Sequence, residues 1–298
     1  MHPAPSIILF TTLSGLGFGM LAFLGLDATP PLGWSALAFL FVAYSLAVSG
    51  LLASTFHLGH PERALKAFTQ WRSSWLSREA WVSLLALTAM VPYGFGLVFL
   101  DQAWRVPGVA GGVLSLATVY ATSMIYLQMR TVPRWNHWSP PALFLGFALA
   151  GGALMTGRVS VALWALPLLA VVQVVAWIDQ ERRERATDTD LATATGLGDV
   201  GRVRAFESPH TGASYLTSEM VYQVGRKHAL VLKVISVLLF AVIPVVLLLM
   251  PLTHFLVVPA AASHLLGALI QRWLFFAEAR HVVAQYYGRW DMTGMRGG

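Results

Sequence analysis

Two short polar stretches carry the residues whose types suit chemistry: HLGHPERA, from His57 to Ala64, and LSREAW, from Leu76 to Trp81. Each sits at the edge of a long apolar run. In the first, Gly59 suits the left-handed position just past a helix end and Pro61 does not continue a helix. His57 is therefore expected at a helix C-terminus, where the macrodipole favours an imidazolium. In the second, Ser77 is a natural N-cap and Glu79 falls in the first turn of the next helix. An imidazole and a partly buried carboxylate at matching depth on antiparallel neighbours form a pair that passes protons to and from a bound molecule. Taken singly, each residue also has a plain structural explanation, Glu79 as a helix-dipole complement and His57 as an interfacial polar group.

The elements that must position this pair are membrane spans. The chain has 298 residues, 56% hydrophobic and 11% charged, against about 25% charged in an ordinary soluble domain. Apolar runs long enough to cross a hydrocarbon core as helices cover approximately 6–26, 34–55, 80–100, 109–127, 141–156, 159–178, 229–250 and 252–276. The expected fold class is an all-α integral membrane bundle of eight transmembrane helices forming a single domain. The segment before the first run holds no Lys or Arg, so that run reads as a retained helix rather than a secretory signal. With eight crossings, both termini and every second loop share one side. Sixteen of the twenty basic residues fall on that side, which places it in the cytoplasm. The two long connections, 56–79 and 179–228, are both there, and the second reads as a loop that docks a partner. The net charge of +6 is accounted for by anionic lipid or an acidic partner surface, without nucleic acid.

Several functions are disfavoured by what is missing. The chain has no cysteine, so it holds no iron-sulfur cluster, c-type haem or disulfide of its own. The span interiors hold no Asp or Glu, which argues against a transporter, although Pro92, Pro167, Pro244 and Pro259 interrupt apolar runs as some carriers require. A haem b would need two facing histidines. His264 is the clear mid-span histidine and has no evident partner, which weighs against haem, while a pair at the membrane boundary stays open. GLGDVG (Gly196, Gly198, Gly201) fits the letters of a dinucleotide fingerprint but follows a polar Thr/Asp run instead of a buried strand, and reads as a flexible loop. Near span seven, Tyr215, Leu216, Met220, Val221 and Val224 approximate the apolar stripe of a short interfacial helix. What remains is the His57/Glu79 pair, which suits a quinone: reduction takes two electrons and two protons, so the ring oxygens need a hydrogen-bond donor and a proton-exchanging group.

HLGHPERA and LSREAW, together with MRTVPRWNHWSP (Met129 to Pro140) and LIQRWLFF (Leu269 to Phe276), resemble the DmsC (NrfD-like) family of membrane anchors for dimethyl-sulfoxide-reductase-type molybdoenzymes. The resemblance implies a subunit without metal of its own in a bacterial inner membrane. It docks an iron-sulfur subunit, whose own partner carries molybdopterin, and exchanges electrons with ubiquinone or menaquinone. It also implies that His57 and Glu79 are the quinone-site residues. Arg63, Trp135 and Arg272 match family positions, and both arginines serve equally well as cations snorkelling to lipid phosphate. A cytoplasmic docking face and the stretch TDLATATGLGDVGRVRAFESPHTGASYL are similar to the branch of the family that anchors a sulfite dehydrogenase. The expected flow is therefore from sulfite oxidation to quinone, the alternative being a quinol-oxidising anchor of a sulfoxide or polysulfide reductase.

Overall fold

The computed structural model describes residues 1–57, 61–186, 190–207, 209–210, 212, 214–222, 224, 226–251 and 253–287. Among these the chain is helical, with no strand. The helices are α1 (Pro5–Leu26), α2 (Gly33–Ala53), α3 (Trp75–Phe99), α4 (Arg105–Leu127), α5 (Ser139–Met155), α6 (Val159–Ala186), the short α7 (Leu191–Thr195), α8 (Ala229–Val237), α9 (Ile243–Leu249) and α10 (Thr253–Ala277). Seven segments are long and apolar enough to cross a membrane, with α8 and α9 forming one continuous segment. The fifth expected crossing, α5, is apolar but 17 residues long, shorter than the others. The chain is thus a multi-pass membrane protein.

The most deeply buried of the seven is α1, which packs against α2, α4, α5 and α10. Small residues let the backbones approach, as expected where lipid tails remove the hydrophobic drive between helices. At the α1–α5 crossing, a Cβ on Gly152 would come within 2.6 Å of the Gly19 carbonyl oxygen, so no side chain fits there. Contacts at the two ends tie the connections to neighbouring helices. At one end, Val282 N–H donates to Thr131 O (3.0 Å) and Trp135 Nε1 donates to Phe275 O (3.2 Å), joining the α4–α5 connection to the end of α10. At the other end, Arg158 between α5 and α6 pairs with Asp27 after α1.

Two helix boundaries differ from the sequence expectation for the same reason: polar side chains extend a helix past the edge of its apolar run. The sixth helix continues from 178 to Ala186, because its charged residues find partners along the extension, Arg183 Nε bonding Asp179 Oδ2 one turn back (3.0 Å). Residues 179–186 therefore belong to a helix rather than to the long connection. Likewise α3 starts at Trp75, five residues before 80. Within the long connection, Asp190 caps α7 by accepting from Thr193 N–H (2.7 Å), and Gly196 ends it at φ 68°. The expected interfacial helix is a short turn over Leu216–Met220.

Pro244 explains the histidine inside the membrane. Between α8 and α9 the chain makes a wide turn over Leu238–Val242, in which Ile243 N–H reaches back five residues to Leu238 O. The next donor in either the four- or five-residue pattern is position 244, whose proline has no N–H. That removes the five-residue donor of Leu239 O and the four-residue donor of Phe240 O. Both receive side chains from α10: Ser263 Oγ donates to Leu239 O (2.8 Å), and His264 Nδ1 lies 2.7 Å from Phe240 O, which fixes the hydrogen on Nδ1. A Cβ on Gly151 would come within 2.9 Å of His264 Nε2, so the ring is closed in on its other side.

Candidate functional site

Because α3 begins at Trp75, Glu79 lies more than a turn inside the helix, and Ser77 is not its cap. Ser77 Oγ instead donates to Ala67 O and accepts from Gln70 N–H (3.1 Å), pinning the preceding connection onto α3. Arg78 does the same from the outer face, donating to Trp71 O (3.0 Å) and Arg72 O (2.7 Å) while stacking on Trp75 (4.4 Å). The consequence is that Glu79 is 3% exposed, a fully buried carboxyl rather than the partly buried one expected. Its contact is Thr122 on α4, whose Oγ1 meets Glu79 Oε1.

That contact carries a protonation constraint. Thr122 Oγ1 also lies 3.0 Å from Thr118 O, and a hydroxyl has one hydrogen to give. With Glu79 ionised, Thr122 turns its hydrogen to the carboxylate. With Glu79 neutral, the acid donates to Thr122, which donates on to Thr118 O. The hydroxyl therefore serves both states of the carboxyl without moving a heavy atom.

One turn further along α4, Tyr126 is the hub of an aromatic cluster. Its ring packs against Trp135 (5.3 Å) and against Phe144, Phe275 and Phe276 (5.5 Å each). Trp135 lies flat on Phe275, 5.1 Å apart and inclined by 11°. The guanidinium of Arg272 sits 3.7 Å from the centre of the Phe144 ring and is 3% exposed, with Nη1 lacking a hydrogen-bond partner among the described residues. It borders a cavity of about 10 Å³ beside Thr11 and Thr12, large enough for about one water. Tyr126 lies within electrostatic reach of both Glu79 and Arg272.

Three of the five sequence-predicted residues, Glu79, Trp135 and Arg272, thus gather around Tyr126. The backbone of His57 ends a 3-10 turn (Ser54–His57) that prolongs α2, and α2 packs on α3, with Tyr44 OH donating to Leu87 O (2.7 Å). The His57 side chain and the structure of residues 58–60 lie outside the described residues. Arg63 lies on the 3-10 segment Pro61–Phe68 and is exposed. Sequence reading missed Thr122 and Tyr126. Their signal was a polar spacing of four along α4, Thr118, Thr122 and Tyr126, which puts all three on one helix face.

A second feature not anticipated is a chain of ion pairs at the same end of the bundle. Arg134 pairs with Glu184 (2.8 Å) and Glu278 (3.5 Å), Lys233 with Glu278 (2.9 Å) and Glu181 (3.1 Å), and Arg280 with Glu184 (2.9 Å). It ties the α4–α5 connection, α6, α8 and the end of α10 together. Nearby, His137 Nδ1 accepts from Ser139 N–H (3.2 Å). Its 3.6 Å approach to Asp179 is therefore not an ion pair in the neutral ring. Burial, and then the positive charge of Arg183, hold its pKa below the ordinary value. Among the described residues no group of three His, Asp or Glu is placed to hold a metal ion.

Comparison with known proteins agrees with this architecture. The family model described as DMSO reductase anchor subunit (DmsC) matches residues 2–277. The C subunit of the sulfite dehydrogenase of Allochromatium vinosum is 32% identical, the alignment covering 96% of this protein and 99% of that one. The C polypeptide of the anaerobic dimethyl sulfoxide reductase of Escherichia coli is 29% identical over 48% of this protein and 52% of its own length. No solved structure matches. The cysteine-free helical bundle, the buried acid of LSREAW and a family match from one end of the bundle to the other agree, and the chain belongs to the DmsC family of reductase membrane anchor subunits.

Proposed function

We propose that this chain is the quinone-reactive membrane anchor of a molybdoenzyme complex, passing electrons from a partner iron-sulfur subunit to membrane quinone during sulfite oxidation to sulfate. The observation that carries the reading is Glu79: a carboxyl fully inside the bundle at the end where α2 and α3 meet, supported by a hydroxyl that accommodates both of its protonation states. Such a group takes up and delivers the protons that quinone reduction consumes. His57, at the end of the adjoining α2 turn, donates to the other ring oxygen, and Trp135 and Arg272 shape the site. The similarity to a sulfite dehydrogenase subunit over nearly the whole length supports sulfite as the partner's substrate. Iron-sulfur clusters belong to a partner, since this chain supplies no thiolate, and the molybdopterin is assigned to the catalytic subunit.

We count α5 as an eighth crossing. Its 17 residues span about 26 Å, and its two ends adjoin opposite ends of the bundle. Eight crossings put both termini, the long connection and the ion-pair chain on the strongly basic side, which is the cytoplasmic one. His57→Ala and Glu79→Gln are expected to abolish quinone reduction while sulfite oxidation with an artificial acceptor persists. Normal quinone turnover in both variants refutes the assignment. The second reading, a quinol-oxidising anchor, is favoured by the partial similarity to a dimethyl sulfoxide reductase polypeptide. A twin-arginine signal on the neighbouring catalytic subunit would select it.

A further inference from the structure

On the face of α3 opposite Glu79, the connection from α2 folds back to form a groove of about 350 Å³ lined by Phe68, Trp71, Arg78, Trp81 and Val82. Arg78 and Glu79 are consecutive, and the 100° turn between helical neighbours directs one outward and the other into the bundle. The groove is walled by fixed rings. Trp81 Nε1 donates to Phe68 O (3.0 Å), and the two rings meet edge to face at 5.2 Å.

We propose that this groove binds one anionic glycerophospholipid, its phosphate at Arg72 and Arg78 and an acyl tail along the outer face of α3. Charge is the first argument. From Pro61 to Arg78 the sequence holds Arg63, Lys66, Arg72 and Arg78 against the single acid Glu62. Lys66, Arg72 and Arg78 form no ion pair among the described residues. Arg78 uses Nε and Nη2 on backbone carbonyls, leaving Nη1 without a protein partner among those residues. Arg72 lies over the Trp71 ring at 5.3 Å, at the rim of the groove. Neither arginine is neutralised among the described residues, so the occupant brings negative charge.

Continuity with the bilayer is the second argument, and it selects a lipid over an acidic protein. Below the groove the outer face of α3 presents Leu84, Leu85, Val91, Phe95 and Phe99, all exposed, at spacings that form one stripe down the helix. In a membrane-spanning helix that stripe faces hydrocarbon. The groove is its upper end, where exposed Trp71 and Trp81 occupy the depth at which indoles settle between headgroups and tails. An acyl tail entering the groove stays in hydrocarbon for its whole length, whereas a water-soluble partner would leave the stripe uncovered.

The test uses the complex purified with its partner subunits, reconstituted with phosphatidylglycerol or phosphatidylcholine and examined by native mass spectrometry for retained lipid. The wild type is expected to retain one phosphatidylglycerol in preference to phosphatidylcholine. Arg72→Gln should lower that preference about fivefold, the effect of one basic side chain near an anionic headgroup. Its side chain bonds no backbone group among the described residues, so the fold is spared, unlike the case of Arg78. A second variant, Trp71→Ala, tests the apolar wall and should reduce retention of the lipid with the charges in place. Equal retention of the two lipids by the wild type, an unchanged preference in the charge variant, or retention seen only after the partner subunits are stripped away would each overturn the proposal, the last by making the groove a protein contact.

Discussion

Removing His264, buried in mid-membrane, is expected to destabilise the bundle through a backbone carbonyl rather than through any cofactor. In His264→Leu, Phe240 O loses the donor 2.7 Å away, and Pro244 supplies no N–H to replace it. A buried acceptor left unsatisfied costs about 1–3 kcal/mol. Measured polar couplings inside membrane proteins average about 0.6 and reach about 1.7 kcal/mol, so the lower half of that range applies. Pro244→Ala restores the missing N–H and lets the helix close on Phe240 O. In the double variant the penalty of His264→Leu should shrink, with a coupling of about 0.6–1.7 kcal/mol. Equilibrium unfolding of the four proteins in mixed micelles gives the cycle directly. If the two substitutions prove additive, the proline and the histidine are independent and the reasoning is wrong.

Other outcomes follow from the same geometry. Thr122→Val keeps the side-chain shape but removes the hydroxyl at Glu79. It is expected to slow quinone reduction about tenfold, the worth of one hydrogen bond to a charged group, with artificial-acceptor activity unchanged in the same preparation. Arg134→Met removes the cation that Glu184 and Glu278 share but leaves each its second partner, Arg280 and Lys233, and should cost about 1–3 kcal/mol, read as a lowered unfolding midpoint. The His137 ring is held neutral in the fold, while an unfolded imidazole takes a proton below about pH 6.5. Stability from this group is therefore complete above that pH and lost as the pH falls below it. His137→Asn should flatten that acid limb of a thermal-unfolding series, and an unchanged limb would remove His137 as its source.

Much of the architecture was legible in the sequence, because the bilayer imposes a local rule. Every span must be helical, long and apolar, so the runs announced themselves, and the basic residues clustered on the ends they share. The cysteine count and the motif letters are also properties of the string, and they carried the family resemblance. The boundaries were less legible where polar side chains have private partners. Arg78 stacked on Trp75 and Arg183 paired to Asp179 let α3 and α6 run on beyond their apolar cores.

What the sequence by itself determined, then, is the solvent this protein lives in and the approximate number and order of its helices. The tertiary structure alone decided which groups face one another. Glu79 meets a hydroxyl 43 positions away, Arg134 meets Glu278 at a distance of 144, and His264 bonds a carbonyl 24 residues earlier. Those meetings depend on which helices pack together and at what rotation. Both are set by close backbone approaches such as Gly19 against Gly152, which no local periodicity encodes.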